Sequence, residues 1–238
     1  MNNKVIRNPT FDVAGENSLP SLVLIHGSIV TRTMWKPQAE GLSDAYRVIA
    51  PDLPGHGTLS HIPFSFESAQ QTIAEIIKKE ANASTLIVGL SLGGYVAMKV
   101  AENFPNLVSG MVLSGCSVNF TGALGSYLKL VSKLMANGWL KQNRVKAEEK
   151  VRKMFPLSLT DLAEAQIRDG VFPETLGPSF SEMAGKDFTT ILCKFSGHYL
   201  ILNGEFDKAS RQQEEKFAAA GKKGGLQIIA KAGHACCL

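Results

Sequence analysis

Short apolar runs alternate along the chain with segments of helical period, and this alternation predicts the fold class. Six runs flanked by Gly, Pro, Asn or Asp are predicted strands: 21–25 (SLVLI), 46–50 (YRVIA), 85–88 (TLIV), 110–113 (GMVL), 199–202 (YLIL) and 226–230 (LQIIA). Helices are predicted between them at 34–42, 68–80, 92–104 and 209–219. Near-continuous apolar strands joined by helices indicate an α/β fold, with a mostly parallel central sheet flanked by helices.

The alternation stops between residues 118 and 194, where the pattern is helical and predicts no strong strand. The apolar positions that recur there at helical spacing are Leu124, Leu128, Val131, Leu134 and Met135. Further helical segments are predicted at 145–155 and 159–169. A helical insertion between parallel strands is expected to cover their carboxyl ends, where open α/β sheets bind ligands. We therefore expect a core at 1–117 and 195–238, with a helical cap at 118–194 inserted before the penultimate strand. Segment 4–14 is expected to add one or two edge strands.

Composition and charge exclude several function classes. A chain of 238 residues suits one domain with a sizeable core. The net charge of +4 is spread out and forms no long basic run, so no nucleic-acid partner is expected. The densest basic stretch, 141–153, is interrupted by Glu148 and Glu149 and favours a solvated helix face over a site for an anionic partner. No run approaches the ~20 apolar residues of a membrane span, and the start of the chain has no apolar signal region, so a cytoplasmic location is expected.

The strongest chemical motif is Gly89-Leu90-Ser91-Leu92-Gly93, which stands between a predicted strand and a predicted helix. A serine in this context is typical of a nucleophile elbow, a tight strand-to-helix turn that exposes the serine oxygen above the sheet. The turn leaves no room for side chains on Gly89 and Gly93. Ser91 is therefore the predicted nucleophile.

A serine hydroxyl needs a base to remove its proton, and the base needs an orienting carboxylate. Of the five histidines, His234 follows the last predicted strand and is the predicted base, whereas His26 and His56 are expected to tie down loops. Asp207 follows the preceding strand and is the predicted acid. The order Ser–Asp–His is the one that a nucleophile elbow of this kind requires. Glu205 is a rival acid that lies closer to its strand.

Acyl transfer also needs backbone donors for the developing oxyanion. One predicted donor is the N–H of Leu92, directly after the nucleophile, and the other is the N–H of Ser28, in the loop after the strand at 21–25. Gly27 would let that loop approach the substrate closely. The four cysteines, at positions 116, 193, 236 and 237, lack metal-ligand spacing and are expected to be reduced and structural.

Taken together, these motifs resemble the α/β-hydrolase superfamily. The resemblance rests on segments that occur in family order: His26-Gly27 with Trp35 downstream, 52–57 (DLPGHG), 89–94 (GLSLGG), 204–207 (GEFD) and Gly233-His234. It is to the small single-domain branch with a helical cap, which includes carboxylesterases, carbon–carbon bond hydrolases, a menaquinone-pathway synthase and non-hydrolytic signalling members. The resemblance implies a small-molecule substrate, no metal and no organic cofactor. Family members continue past the histidine into a C-terminal helix, so a longer natural chain is expected.

The leading interpretation is a hydrolase of small carboxylic esters that acts through an acyl-enzyme on Ser91. Two alternatives stay open: a carbon–carbon bond hydrolase or lyase with the same triad, and a ligand-sensing or partner-binding protein with little hydrolytic activity. The residues that line the substrate pocket decide among these three interpretations. Its candidate substrate contacts are Arg32, which could bind a substrate carboxylate, and four apolar or aromatic cap residues: Leu124, Tyr127, Leu128 and Trp139.

Overall fold

A computed structural model describes residues 5–81, 83–139 and 143–238. Within these ranges the centre of the protein is an eight-stranded sheet in the order β1-β2-β4-β3-β5-β6-β7-β8. The strands are β1 (Ile6–Arg7), β2 (Phe11–Ala14), β3 (Ser21–Ile25), β4 (Arg47–Pro51), β5 (Thr85–Leu90), β6 (Val108–Ser114), β7 (His198–Gly204) and β8 (Gly224–Ile229). β1 lies at one edge of the sheet and pairs antiparallel with β2, which in turn pairs antiparallel with β4. The other neighbouring strands pair in parallel. The predicted fold class is confirmed, and the opening segment supplies two strands, of which β1 is at the edge of the sheet; Lys4 lies outside the described residues.

Four helices flank the sheet: α1 (Lys36–Leu42), α2 (Phe66–Glu80), α3 (Leu92–Asn103) and, after the cap, α9 (Glu214–Ala218). The predicted starts of the first and last were early, because 3₁₀ turns at Arg32–Trp35 and Ser210–Gln213 precede them. α2 begins at a capping box in which Ser65 and Ser68 satisfy each other's backbone N–H groups.

Alternation along the strands divides the core into two apolar layers. In β3, Val23 and Ile25 point to the side covered by α2 and α3, whereas Leu22 and Leu24 pack on the other side with Trp35. All four strand residues are buried, as expected for a parallel sheet covered on both faces. This burial fixes the register of the central strands, and with it the place where their carboxyl ends meet.

In the described part of the chain between β6 and β7, five helices form: α4 (Gly122–Ala136), α5 (Arg144–Met154), α6 (Thr160–Asp169), α7 (Leu176–Met183) and α8 (Thr189–Lys194). This is the insertion expected before the penultimate strand; its division from the core at 118 and 194 stays a prediction. The buried amide of Gln166 joins it to the core, since its Oε1 accepts hydrogen bonds from the N–H and hydroxyl of Thr31, both at 3.2 Å. In the ranges that the structure describes, no helix is long and apolar enough to cross a membrane.

Candidate active site

Ser91 occupies a strained turn between β5 and α3. Its φ of 54° lies in the left-handed region that L-residues rarely adopt. A Cβ on Gly89 would lie 2.4 Å from the carbonyl of Gly93, and one on Gly93 would lie 2.3 Å from the carbonyl oxygen of Ile25. Glycine is therefore required on both sides of the serine, because the turn and the end of β3 fill the space of a side chain.

His234 and Asp207 lie together at the ends of β8 and β7. His234 Nδ1 is 2.6 Å from Asp207 Oδ2, and the N–H of Ser210 donates to the other carboxylate oxygen at 3.3 Å. Burial acts to raise the pKa of Asp207, but the hydrogen bonds from His234 and Ser210 hold it below the usual value. The carboxylate is thus ionised at neutral pH, which suits a group that orients an imidazole.

Glu205, the rival acid, serves the turn instead. Its Oε2 accepts a hydrogen bond of 2.7 Å from the N–H of Lys231, and its carbonyl accepts one from Arg211. The structure therefore brings Asp207, and not Glu205, to the histidine.

Packing on two sides holds the imidazole of His234. Gly115, at the end of β6, is so close that a Cβ there would lie 2.9 Å from His234 Cε1. The hydroxyl of Ser210 lies 3.4 Å from Nδ1 and donates to the carbonyl of Gly115 at 3.1 Å. Beyond the histidine, Ala235 is buried and the carbonyl of Cys237 accepts a hydrogen bond from Gln38 on α1.

The loop after β3 carries one of the two predicted oxyanion donors. Ser28 lies on this loop, and the next residue, Ile29, has a φ of 64°, which is unusual for a β-branched side chain. His26 anchors the loop, because its Nε2 accepts from the N–H of Leu53 at 2.9 Å while Nδ1–H donates to the carbonyl of Gly27. Burial lowers the pKa of His26 to about 4, so the ring is neutral and can accept that bond. His26 is thus a loop anchor, as its position in the sequence indicated.

Ser91, His234 and both predicted oxyanion residues line one cavity of about 360 Å³ between the sheet and the cap. Leu92 is the first residue of α3, where backbone N–H groups have no partner within the helix. Within the described residues, no hydrogen bond joins the side chains of Ser91 and His234. In ligand-free active sites, the hydrogen bond between nucleophile and base often forms only when substrate binds. The cavity thus brings together Ser91, a histidine paired with a carboxylate, and the two residues whose N–H groups are the predicted oxyanion donors.

The structure brings one of the five candidate substrate contacts to this cavity. Leu124 lines it, at the start of α4. Tyr127 and Trp139 project into solvent with 61% and 80% of their surface exposed, and Leu128 is buried in the apolar core. Leu128 lies on the face of α4 that packs into the core, Tyr127 lies on the exposed face of that helix, and Trp139 follows its end.

Arg32 is the other departure from the predicted set of contacts. It is 2% exposed, and its guanidinium lies 3.1 Å from Asp12 and 3.2 Å from Asp52 in a buried ion-pair network. Asp52 in turn accepts two hydrogen bonds from Thr58 and braces the turn at 54–57. Arg32 therefore holds the loop behind the site and is not free to bind a substrate.

Sequence reasoning missed several residues of the site. Gly115 and Ser210 contact His234, and each had a signal in the sequence: Gly115 directly follows a strand, and Ser210 lies three residues after the predicted acid. Lys150, on α5, lines the cavity, and nothing in the sequence indicated that it would.

In the described part of the chain, no cluster of three or more His, Cys, Asp or Glu side chains could hold a metal ion.

Comparison with known families agrees with this geometry. A family model described as the alpha/beta hydrolase family matches residues 22–238, which include every residue of the site. The chain belongs to the alpha/beta hydrolase family. The match runs through the parallel strands of the sheet and the helical insertion alike.

Two solved structures share the whole architecture of this alpha/beta hydrolase. A thermophilic esterase from Thermogutta terrifontis is 26% identical, with a TM-score of 0.76 over 97% of this chain and 91% of that one. MenH from S. aureus is 22% identical, with a TM-score of 0.76 over 94% of this chain and 91% of the other. At that identity the likeness to MenH shows the fold alone.

Curated relatives match this alpha/beta hydrolase over a shorter stretch. The pimeloyl-[acyl-carrier protein] methyl ester esterase of Vibrio campbellii is 35% identical over 101 residues, which are 42% of this chain and 39% of that protein. The enzyme of the same name from Vibrio cholerae is 34% identical over 49% of this chain and 44% of its own length. The chain thus spans less than half the length of these relatives, and their substrates remain statements about those proteins.

Proposed function

We propose that this alpha/beta hydrolase is a serine hydrolase that cleaves a small carboxylic ester through an acyl-enzyme on Ser91. The observation that carries the proposal is the meeting of three groups at one cavity: the strained Ser91, the imidazole of His234, and Asp207 at 2.6 Å from its Nδ1. A carboxylate on Nδ1 leaves Nε2 as the proton acceptor, which is the tautomer that a serine nucleophile needs.

In this mechanism His234 takes the proton of Ser91 as the serine oxygen attacks the ester carbonyl. The tetrahedral intermediate carries a negative charge, and the N–H groups of Ser28 and Leu92 stabilise it. His234 then donates its proton to the departing alcohol. Water, activated by the same imidazole, attacks the acyl-enzyme and releases the acid.

The comparisons support the ester as the bond that is cleaved. Two relatives above 30% identity are named as methyl ester esterases, and the solved structure at 26% identity is an esterase. The cavity agrees with a small substrate, since its volume of about 360 Å³ is at the low end for ligand pockets.

A fluorophosphonate probe and a series of p-nitrophenyl esters test the proposal together. The probe should label wild-type protein at Ser91 and leave Ser91→Ala unlabelled, and Ser91→Ala should lower kcat by a factor on the order of 10³ or more. Ser109→Ala removes an exposed hydroxyl on β6, away from the cavity, and is the matched control. Labelling that persists in Ser91→Ala would overturn the assignment.

The same assay separates the other interpretations. Multiple turnover with a burst of p-nitrophenol supports an acyl-enzyme. A single turnover, followed by thermal stabilisation of the labelled protein, would instead indicate a ligand sensor. Turnover of a vinylogous diketone without turnover of any ester would indicate a carbon–carbon bond hydrolase.

A further inference from the structure

On the cap side, the cavity above Ser91 is lined by apolar side chains and one cationic side chain, whereas the polar residues Ser28, Ser210, Gln212 and His234 line its core side. The apolar side chains on the cap side include Phe120, Leu124, Val151, Met154, Leu176, Phe180 and Met183. Among the described lining residues, Lys150 is the one with a permanent charge, and none is acidic. An anion that enters this cavity thus meets one cation and no carboxylate.

The packing of α5 directs Lys150 to the cavity. Val151 is fully buried and Ala147 is 9% exposed, and these two residues fix that helix against the core. Met154 lies four residues after Lys150, so the two side chains are neighbours on one side of the helix, and both line the cavity. The ion pair between Arg152 and Glu164 at 2.7 Å ties α5 to α6.

Lys150 differs from most cations of its helix in lacking a carboxylate partner. Arg144 pairs with Glu148 at 3.3 Å and Lys153 with Glu149 at 2.6 Å. In the described part of the chain, neither Lys150 nor Lys146 has an ion pair, and of these two only Lys150 lines the cavity. The acidic residues of α5 are thus engaged elsewhere, which leaves this ammonium group available to a ligand.

We propose that Lys150 binds an anionic group of the substrate, so that the preferred substrate is an ester with an apolar segment between the scissile carbonyl and a distal carboxylate. This inference rests on the proposed function, since it takes Ser91 as the point of attack. The apolar segment would occupy the cavity, and the carboxylate would reach the ammonium group of Lys150. Lys150 is then a specificity-determining residue that takes no part in the chemical steps.

The expected effect is modest, because Lys150 lies at the cavity edge and is exposed to solvent. Exposed ion pairs stabilise by up to about 1 kcal/mol, which corresponds to about 5-fold in kcat/KM. The preference should weaken at high ionic strength, since salt screens such a pair. A solvated lysine without a ligand would produce neither effect.

The test compares two p-nitrophenyl esters with acyl chains of equal length, mono-p-nitrophenyl adipate and p-nitrophenyl hexanoate. Wild-type protein should prefer the adipate by about 5-fold in kcat/KM. Lys150→Met keeps the length of the side chain and should abolish the preference, and Lys150→Glu should reverse it. Lys146→Met removes the other unpaired cation of α5 and should leave the preference unchanged. In a second arm the substrate is 4-carboxyphenyl hexanoate, which carries the carboxylate on its leaving group. This arm distinguishes recognition of an anion on the acyl side from recognition of an anion on the leaving group.

Three outcomes would overturn the proposal while the proposed function stands: neutral esters hydrolysed with no preference for the adipate, a preference confined to the leaving-group arm, or a preference that survives in Lys150→Met. Failure to hydrolyse any ester would count against the proposed function. In that case, ligand binding to the Ser91→Ala variant tests the role of Lys150 without turnover. Methyl hydrogen adipate should bind more tightly than methyl hexanoate, and Lys150→Met should remove the difference. Equal affinities in the protein that retains Lys150 would overturn the proposal.

Discussion

Gly115 lies directly against the imidazole of His234. A Cβ at this glycine would come within 2.9 Å of Cε1 and 3.1 Å of Nδ1, distances that real side chains do not tolerate without movement. Gly115 also has a φ of +59°, which glycine adopts without steric cost. The end of β6 therefore sets where the proposed base can stand, although no part of Gly115 takes part in chemistry.

Gly115→Ala should move His234 and lower kcat. A displacement of about 1 Å in a catalytic group can cost on the order of 100-fold in rate, and we expect a loss of that size. Gly122→Ala is the matched control, because Gly122 has the same φ of +59° and nothing lies within 4 Å of the place that its Cβ would take. Both variants carry the backbone strain, so equal losses of kcat in the two would contradict a specific contact with the imidazole.

Asp207→Asn should lower kcat by a factor on the order of 10⁴, since an amide favours the wrong tautomer of His234. Glu205→Gln should retain most of the activity, because glutamine still offers an oxygen to the N–H of Lys231. Steady-state kinetics on both variants, with circular dichroism to check the fold, measures the contrast. If Glu205→Gln is the more damaging variant, the acid has been misassigned.

The strands, their order of appearance and the serine turn could be predicted because each depends on local sequence. β3 has the predicted bounds, and Gly89 and Gly93 are required by contacts within a few residues or with the adjacent strand. Parallel strands buried on both faces leave an apolar run that is hard to mistake. The pairing of His234 with Asp207 followed from their positions after β8 and β7, and the structure places Nδ1 2.6 Å from Oδ2.

The parts that the sequence did not reveal depend on contacts between distant segments. Arg32 stands close in sequence to the loop after β3, yet Asp12 on β2 and Asp52 after β4 hold its guanidinium away from the cavity. Tyr127 and Leu128 are neighbours on α4, and only the packing of that helix against α7 decides which of them is buried. Helical spacing alone cannot distinguish a pocket wall from a core face or a surface.

Arg32→Met should destabilise the protein and leave substrate preference unchanged. Removing one partner of a buried ion pair leaves the other charge uncompensated, and we expect a loss of about 3 kcal/mol in the free energy of unfolding. Urea denaturation measures it. Arg168→Met, at an exposed position on α6, should change stability by less than about 0.5 kcal/mol. A stable Arg32→Met protein that loses only its affinity for anionic esters would restore Arg32 as a substrate contact.

His26 and His56 form a buried pair behind the site, with ring centroids 4.9 Å apart. Burial lowers the pKa of His26 to about 4 and, together with the neighbouring His26, lowers the pKa of His56 to about 3. Phe64 and Phe172 surround the second ring at 6.3 and 6.1 Å. Both rings are therefore neutral in the folded protein near neutral pH.

This pair should make the protein acid-sensitive. An unfolded histidine takes up a proton near pH 6.5, whereas these two resist protonation until about pH 4 and 3. The stability they contribute is complete above pH 6.5 and falls as the pH drops below it, by about 2 kcal/mol for each histidine at pH 5. His56→Phe, which keeps an aromatic ring, should roughly halve the fall in unfolding free energy between pH 7.5 and 5, and the exposed control His61→Gln should leave it unchanged. Asp and Glu titrate mainly below this range, so urea denaturation at the two pH values isolates the histidines. An equal fall in His56→Phe and wild-type protein would show that the pair does not set the acid sensitivity.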